Sequence, residues 1–218
     1  AMKFFFYLTF ILFGIIHQVQ SKSINKCSES INKIENKYNI PNKLLRAISL
    51  TESGRTIDKK FVAWPWSVNV SGKSYYFKDK ASTLIFLQKK VKYQKNIDIG
   101  CMQINFKYHN EQFKNLNTML DPINNIDWAA KYLKKLYKRY KSWNIAISRY
   151  HSSNPERMKK YLEKVKRNWK KEREKKDIYV KKIYVKRPKS IGQLNKIYFE
   201  KNIEKILFFR KEFEKKEL

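Results

Sequence analysis

Glu52 is the residue from which a chemistry can be built. It closes an apolar stretch that includes Leu44, Leu45, Ala47 and Ile48, with Ile48 at i−4 and Leu45 at i−7. That spacing places Glu52 on the inward face of a helix, and Gly54 just beyond is a natural stop. A carboxylate near a helix C-terminus opposes the helix dipole, and burial disfavours its charge again. Both effects raise its proton affinity. A carboxyl group that stays protonated near neutrality is what a general acid needs to cleave a glycosidic bond. The plain alternative is a surface glutamate.

Two further clusters carry polar chemistry. Gly100-Cys101-Met102-Gln103-Ile104-Asn105 sets two amides among apolar side chains, suited either to the lining of a sugar groove or to a helix start packed on the core. Tyr150-His151-Ser152 ends another helical stretch. A hydrolytic triad there is rejected. Ser152 has no nucleophile elbow, and His151 is too close in sequence to orient freely against it. His151 is read as a partly exposed histidine.

These residues need elements to hold them. A helix is expected over 27 to 39, and a second from about Asn42, after Pro41, to Glu52. Trp64-Pro65-Trp66 excludes a helix, and Val68, Val70, Ser71-Gly72, Tyr75 and Phe77 read as a small hairpin. Residues 80 to 92 are helical by pattern, and Asp98-Ile99-Gly100 is read as a turn. Asp121-Pro122 opens an amphipathic helix through Tyr137, Ser142 to Tyr150 forms another, and Asn154-Pro155 starts a third through Trp169. The fold class is mainly α with a small β-hairpin.

The ends differ from the middle. Residues 4 to 16 are almost wholly apolar, follow Lys3 and precede the small Ser21. This is the pattern of a secretory signal over residues 1–21, and the run is short for a membrane span; an uncleaved anchor and a buried helix are the alternatives. The main domain is placed at 22–176. Residues 177–218 form a basic extension with two β-branched and aromatic patches, Ile178-Tyr179-Val180 and Ile183-Tyr184-Val185. Its last segment, Leu194 to Phe213, suits a surface helix on a membrane, a helix for a partner or a frayed extension, with attachment preferred.

Export permits a disulfide between Cys27 and Cys101, the two cysteines of the chain; two unpaired thiols are the alternative. Zinc is not expected with only these cysteines and three histidines. The 49 Lys and Arg against 19 Asp and Glu give a formal charge of +30, which draws polyanions. Nucleic acid is the reflex partner, but no Gly-rich loop, zinc-finger spacing or RNA-binding signature is present. Peptidoglycan, with carboxylates on its lactyl groups and stem peptides, fits an exported basic protein better.

Three motifs in order then resemble one family. Ile40-Pro41 to Leu50-Thr51-Glu52-Ser53-Gly54 resembles the catalytic segment of the soluble lytic transglycosylases. Asp98 to Asn105 resembles their Gly-Leu-Met-Gln-Ile motif, with Cys101 in place of leucine. Trp64-Pro65-Trp66, Asn69 and Tyr150-His151-Ser152 resemble the branch associated with secretion, invasion and conjugation systems. The likeness covers roughly residues 27 to 165.

The resemblance implies a lysozyme-like helical domain of the goose type and a lytic transglycosylase with Glu52 as its catalytic residue. It implies that Ser53 helps to hold that carboxylate or the substrate. It implies that Gly100, Met102 and Gln103 floor the groove and that Tyr150 hydrogen-bonds near the acid. No metal or organic cofactor is required. Asn105, His151 and the aromatic residues Trp64, Trp66, Tyr75 and Tyr76 are candidates to line the groove or stack on sugar; a hydrophobic core around the hairpin is the other reading of the aromatics. The partner is the glycan strand of peptidoglycan, with secretion-system components or a membrane reached through the tail. The alternatives are a hydrolytic muramidase, with Asp98 or Asp121 as second carboxylate, and a non-catalytic wall-binding module. Asp98 is expected to cap a turn.

Overall fold

The computed structural model of the protein describes residues 26–185, and the side chains of residues 26–175. The signal expected over 1–21 and residues 186–218 of the extension therefore lie outside the described residues, as do the side chains of 176–185. Contacts divide the chain after Lys175.

The order of elements is α1 (Lys26–Lys37), α2 (Leu44–Ser53), β1 (Gly54–Ile57), β2 (Lys60–Ala63), β3 (Ser67–Val70), β4 (Lys73–Tyr76) and α3 (Lys80–Lys90). Then come β5 (Ile97–Ile99), β6 (Ile104–Asn105), α4 (Phe106–His109), α5 (Leu116–Leu120), α6 (Pro122–Tyr140), α7 (Trp143–His151) and α8 (Pro155–Val185). The domain is mainly helical, as the sequence pattern predicts. The sheet content is larger than one hairpin. β1 and β2 form a separate antiparallel pair, and the other strands form an antiparallel sheet in the order β4-β3-β5-β6.

α2 is nearly all core: Leu44, Leu45, Ala47, Ile48 and Leu50 are buried. At about 1.5–3 kcal/mol for each large apolar side chain, this burial holds the helix that ends in Glu52. The helix begins at Leu44, slightly later than the sequence suggests. Lys43 is left-handed at φ 67° and offers no side-chain cap. The cap comes instead from Glu35 of α1, whose carboxylate accepts from the backbone N–H of Lys43 and of Leu45, both at 3.0 Å. α8 braces the same helix. Arg46 pairs with the buried Glu172 at 3.0 Å, Asn168 donates to Thr51 at 2.9 Å, and the Trp169 indole donates to the Asn42 carbonyl at 2.8 Å.

Local signals mark the other boundaries. Ser71 (φ 50°) and Gly72 (φ 94°) make the two-residue left-handed turn that the twist of a hairpin favours. Asp79 caps α3 by accepting from Ser82 N–H at 2.8 Å, and Asp121 caps α6 by accepting from Ile123 N–H at 3.2 Å. Asp121 is thus a structural cap, also 3.8 Å from Lys80. Residues 178–185 continue α8, because no glycine or proline interrupts the chain between Pro155 and Pro188.

Candidate active site

Glu52 is the penultimate residue of α2, at the end of the helix where the dipole is negative. The chain leaves the helix directly into β1. A Cβ on Gly54 would lie 2.1 Å from the Leu50 carbonyl and 2.4 Å from the Phe61 ring, so close approach, not an unusual φ, requires glycine here.

The Glu52 carboxylate accepts a hydrogen bond of 2.5 Å from the Tyr161 hydroxyl of α8. Burial pushes its pKa from 4.5 up to about 8; the Tyr161 bond opposes this, the Asp98 charge adds to it, and Lys164 opposes it weakly. The carboxyl is therefore mostly protonated at neutral pH. His151 lies flat on the Tyr161 ring, 4.5 Å between centroids and 5° between planes. Burial and the nearby Lys164 and Arg157 lower the histidine's pKa.

The segment Gly100–Asn105 makes the turn after β5 and then strand β6; it is not a helix start. Asn125 of α6, wholly buried, organises it. Its amide donates to the carbonyls of Ile99 (2.9 Å) and Met119 (3.0 Å), and its oxygen accepts from Met102 N–H (2.9 Å). Gly100 sits at φ 81°, and a Cβ there would meet the Asn125 amide at 2.8 Å. Cys101 is bonded to Cys27, which ties the turn to α1. Met102 is fully buried, and its carbonyl accepts from the Tyr150 hydroxyl at 2.9 Å. The Gln103 amide donates to the Gly100 carbonyl (3.0 Å) and to the Ser67 hydroxyl (3.1 Å). Asn105 donates to Asp98 at 2.8 Å.

A cleft of about 750 Å³ opens over this floor. Glu52, Asp98, Gln103 and Asn105 line it, facing a second group that includes Tyr132, Tyr140, Tyr150, His151 and three arginines. A second hollow of about 440 Å³ shares His109 and Tyr132 with it and adds Trp128. Trp128 and Tyr132 stack at 5.2 Å, and Tyr132 meets Tyr150 at 5.8 Å, so aromatic rings run from one hollow into the other. Among the described residues no group of His, Cys, Asp and Glu could hold a metal ion.

Several expected site residues lie elsewhere. Trp64 and Trp66 are only 2% and 1% exposed and cannot stack on a ligand. The Trp64 indole donates to the Phe77 carbonyl, which fixes it inside the hairpin. Asn69 serves the hairpin turn, accepting from Gly72 N–H at 2.8 Å. Tyr75 packs on Phe86, and Tyr76 lies under Arg55. Ser53 does not reach Glu52: its hydroxyl is within reach of the carbonyls of Cys101 (2.8 Å) and Ser49 (3.1 Å). Asp98 is in strand β5 rather than capping a turn, and faces the cleft with a pKa raised by burial. The tyrosine bonded to the acid is Tyr161, while Tyr150 bonds the floor. Nothing in the sequence separates Tyr161 from the apolar stripe it shares with Val165, apart from its hydroxyl.

A helical lysozyme-like domain, with a protonated glutamic acid at a helix end beside a long open cleft, is the class of protein that this fold and site define. The Transglycosylase SLT domain family matches residues 29–177, and the chain belongs to that family, whose substrate is peptidoglycan. No curated protein and no solved structure matches the chain.

Proposed function

We propose that the protein is a lytic transglycosylase that cleaves the β-1,4 bond between N-acetylmuramic acid and N-acetylglucosamine, with Glu52 as its one acid and base. The observation that carries this reading is the Glu52 carboxyl, held at about 8 by burial and bonded to Tyr161 at the edge of the cleft.

Protonated Glu52 gives its proton to the bridging oxygen as the bond to the muramyl anomeric carbon breaks. The carboxylate so formed is held by the Tyr161 hydroxyl. It then takes the proton of the muramyl 6-hydroxyl while that oxygen bonds to the anomeric carbon. The product is a 1,6-anhydro end, Glu52 regains its proton, and no water is consumed. One carboxylate suffices because the nucleophile belongs to the same sugar and is effectively very concentrated. Gln103 offers its amide oxygen to the sugar, and Tyr132, Tyr140 and Tyr150 offer the ring surfaces that Trp64 and Trp66 do not.

Asp98 favours a second reading. It lines the same cleft, and a hydrolytic muramidase uses a second carboxylate to activate water. Its bond from Asn105 fits a supporting role better. The setting we propose is the periplasm, reached through the signal over 1–21, with local opening of the wall for a secretion machine.

Mass spectrometry of purified peptidoglycan after digestion decides among these. Anhydromuramyl ends from the unmutated protein, with cleavage reduced at least about a thousandfold by Glu52→Gln, are expected. Reducing ends carrying one added water would establish the muramidase. Equal behaviour of the two proteins would leave a wall-binding module.

A further inference from the structure

Three arginines line the cleft and, among the described residues, none forms an ion pair with an acid. Arg139 is in the last turn of α6, Arg149 in the last turn of α7, and Arg157 in the first turn of α8. All three line the same cleft as Glu52. With 49 basic against 19 acidic residues, most cations of this chain lack a carboxylate, so that absence by itself decides nothing. Their arrangement is what sets them apart. The guanidinium carbons of Arg139 and Arg149 lie 5.4 Å and 5.5 Å from the centre of one ring, that of Tyr140. Two like charges are thus gathered on a single tyrosine that lines the cleft.

The second observation is an unpaired donor. The Nε–H of Arg149 is buried and has no hydrogen-bond partner among the described residues. A buried guanidinium donor without an acceptor is destabilising, and in a folded domain such a group is normally satisfied. Nε with a terminal nitrogen is the edge of arginine that matches a carboxylate in the two-pronged geometry. The atom is covered in the free protein, so a ligand would meet it after rotation of the side chain.

The glycan strand carries carboxylates in one place. They hang from the 3-position of each muramyl ring, either as the lactyl carboxylate itself or, where a peptide is amide-linked to it, as the carboxylates of that stem. We propose that Arg139 and Arg149, over Tyr140, form a carboxylate-recognition subsite for the lactyl or stem-peptide substituent of the strand, with Arg157 adding charge at the same wall. The subsite makes muramyl-containing strands preferred over neutral polysaccharides of the same backbone. It rests on the peptidoglycan reading above and adds the group by which the strand is told apart.

Binding is measured with the Glu52→Gln protein, so that nothing is cleaved, against three soluble oligomers of equal length. One is made of N-acetylglucosamine alone, one is a muramyl strand stripped of peptide, and one is a muramyl strand with its stems. At least one carboxylated strand is expected to bind about tenfold or more tighter than the neutral oligomer, the scale of a charge-assisted pair of bonds. Tighter binding of the stripped strand assigns the lactyl group, and tighter binding of the stem-bearing strand assigns the peptide. Adding Arg139→Gln and Arg149→Gln should bring the ratio close to one. Arg139→Gln alone, at an exposed position, should lower it part of the way even if the double variant fails to fold. Lys89→Gln, an exposed charge on α3 outside the cleft, should leave the ratio unchanged, which separates a local site from the general positive field. Equal binding of all three oligomers by the parent, or an unchanged ratio in a folded arginine variant, overturns the subsite. Absence of binding to any oligomer by a folded parent overturns the peptidoglycan reading together with it.

Discussion

The hairpin Ser67–Tyr76 and the segment Gly100–Asn105, a turn running into β6, belong to one sheet, joined by the pairing of Val68 with Ile99. Both are rich in the residues that sugar sites use, and both resemble family motifs. Yet the aromatics that lead into the hairpin, Trp64 and Trp66, are core, while the segment's Gln103 and Asn105 face the cleft. Residue chemistry does not distinguish the two regions. What distinguishes them is which neighbour covers each one. Trp64 is sealed by its bond to Phe77, and the turn is held from beneath by Asn125, which leaves its upper side open.

The comparison breaks most visibly at Trp66. Trp66→Ala should cost about 3–5 kcal/mol in equilibrium unfolding, as for other buried aromatics. The protein that remains folded should keep its KM for glycan. A groove residue would give the reverse, with a raised KM and an unmoved transition.

Asn125→Ala sharpens the same contrast from the other side. It leaves the carbonyls of Ile99 and Met119 and the N–H of Met102 without their partner, at about 2–3 kcal/mol of stability. Here the loss should extend to function. A relaxed turn misplaces Gln103, so kcat should fall well beyond what the unfolded fraction explains. Activity per folded molecule, measured below the melting range, checks this. A fall that only tracks the folded fraction would make Asn125 a core residue and nothing more.

The fold was legible where one face of a helix is apolar and a cap is chemical. Asp121-Pro122, Ser142 and the Leu44–Leu50 run each mark an element by local means. Glu52 was legible for the same reason, since its position at the end of a buried helix follows from spacing. The short strands β1, β2, β5 and β6 were not legible. Runs of two to four residues carry little pattern, and pairing across the sequence holds them. The Glu35 cap of α2 and the Tyr161 bond to Glu52 span 10 and 109 residues, respectively. Neither leaves a trace in its own neighbourhood: Glu35 looks like any helix glutamate, and Tyr161 like any core tyrosine. Trp64 and Trp66 misled because a tryptophan serves a core and a sugar equally well.

The finest test concerns the proton on Glu52. Burial raises its pKa to about 8, the Tyr161 bond lowers it and the charge of Asp98 raises it. The acid is therefore competent below about pH 8, and cleavage should fall as pH rises through that value. Stability follows the same sign. The contribution of this group is fully present below the ordinary 4.5 and is lost as pH rises towards about 8, because only the unfolded chain ionises freely in between. Two substitutions move the limb in opposite directions. Asp98→Asn removes a like charge, so the alkaline limb of kcat/KM should shift to lower pH. Tyr161→Phe removes the donor that favours the carboxylate, so the limb should shift to higher pH, with kcat reduced because the anion formed during cleavage loses its partner. A pH profile of all three proteins on one glycan reads this directly. Should both variants move the limb the same way, the acid that limits the rate is not Glu52 in the environment described here. Should Asp98→Asn abolish cleavage outright, Asp98 acts on the substrate itself, and the muramidase reading gains what the transglycosylase loses.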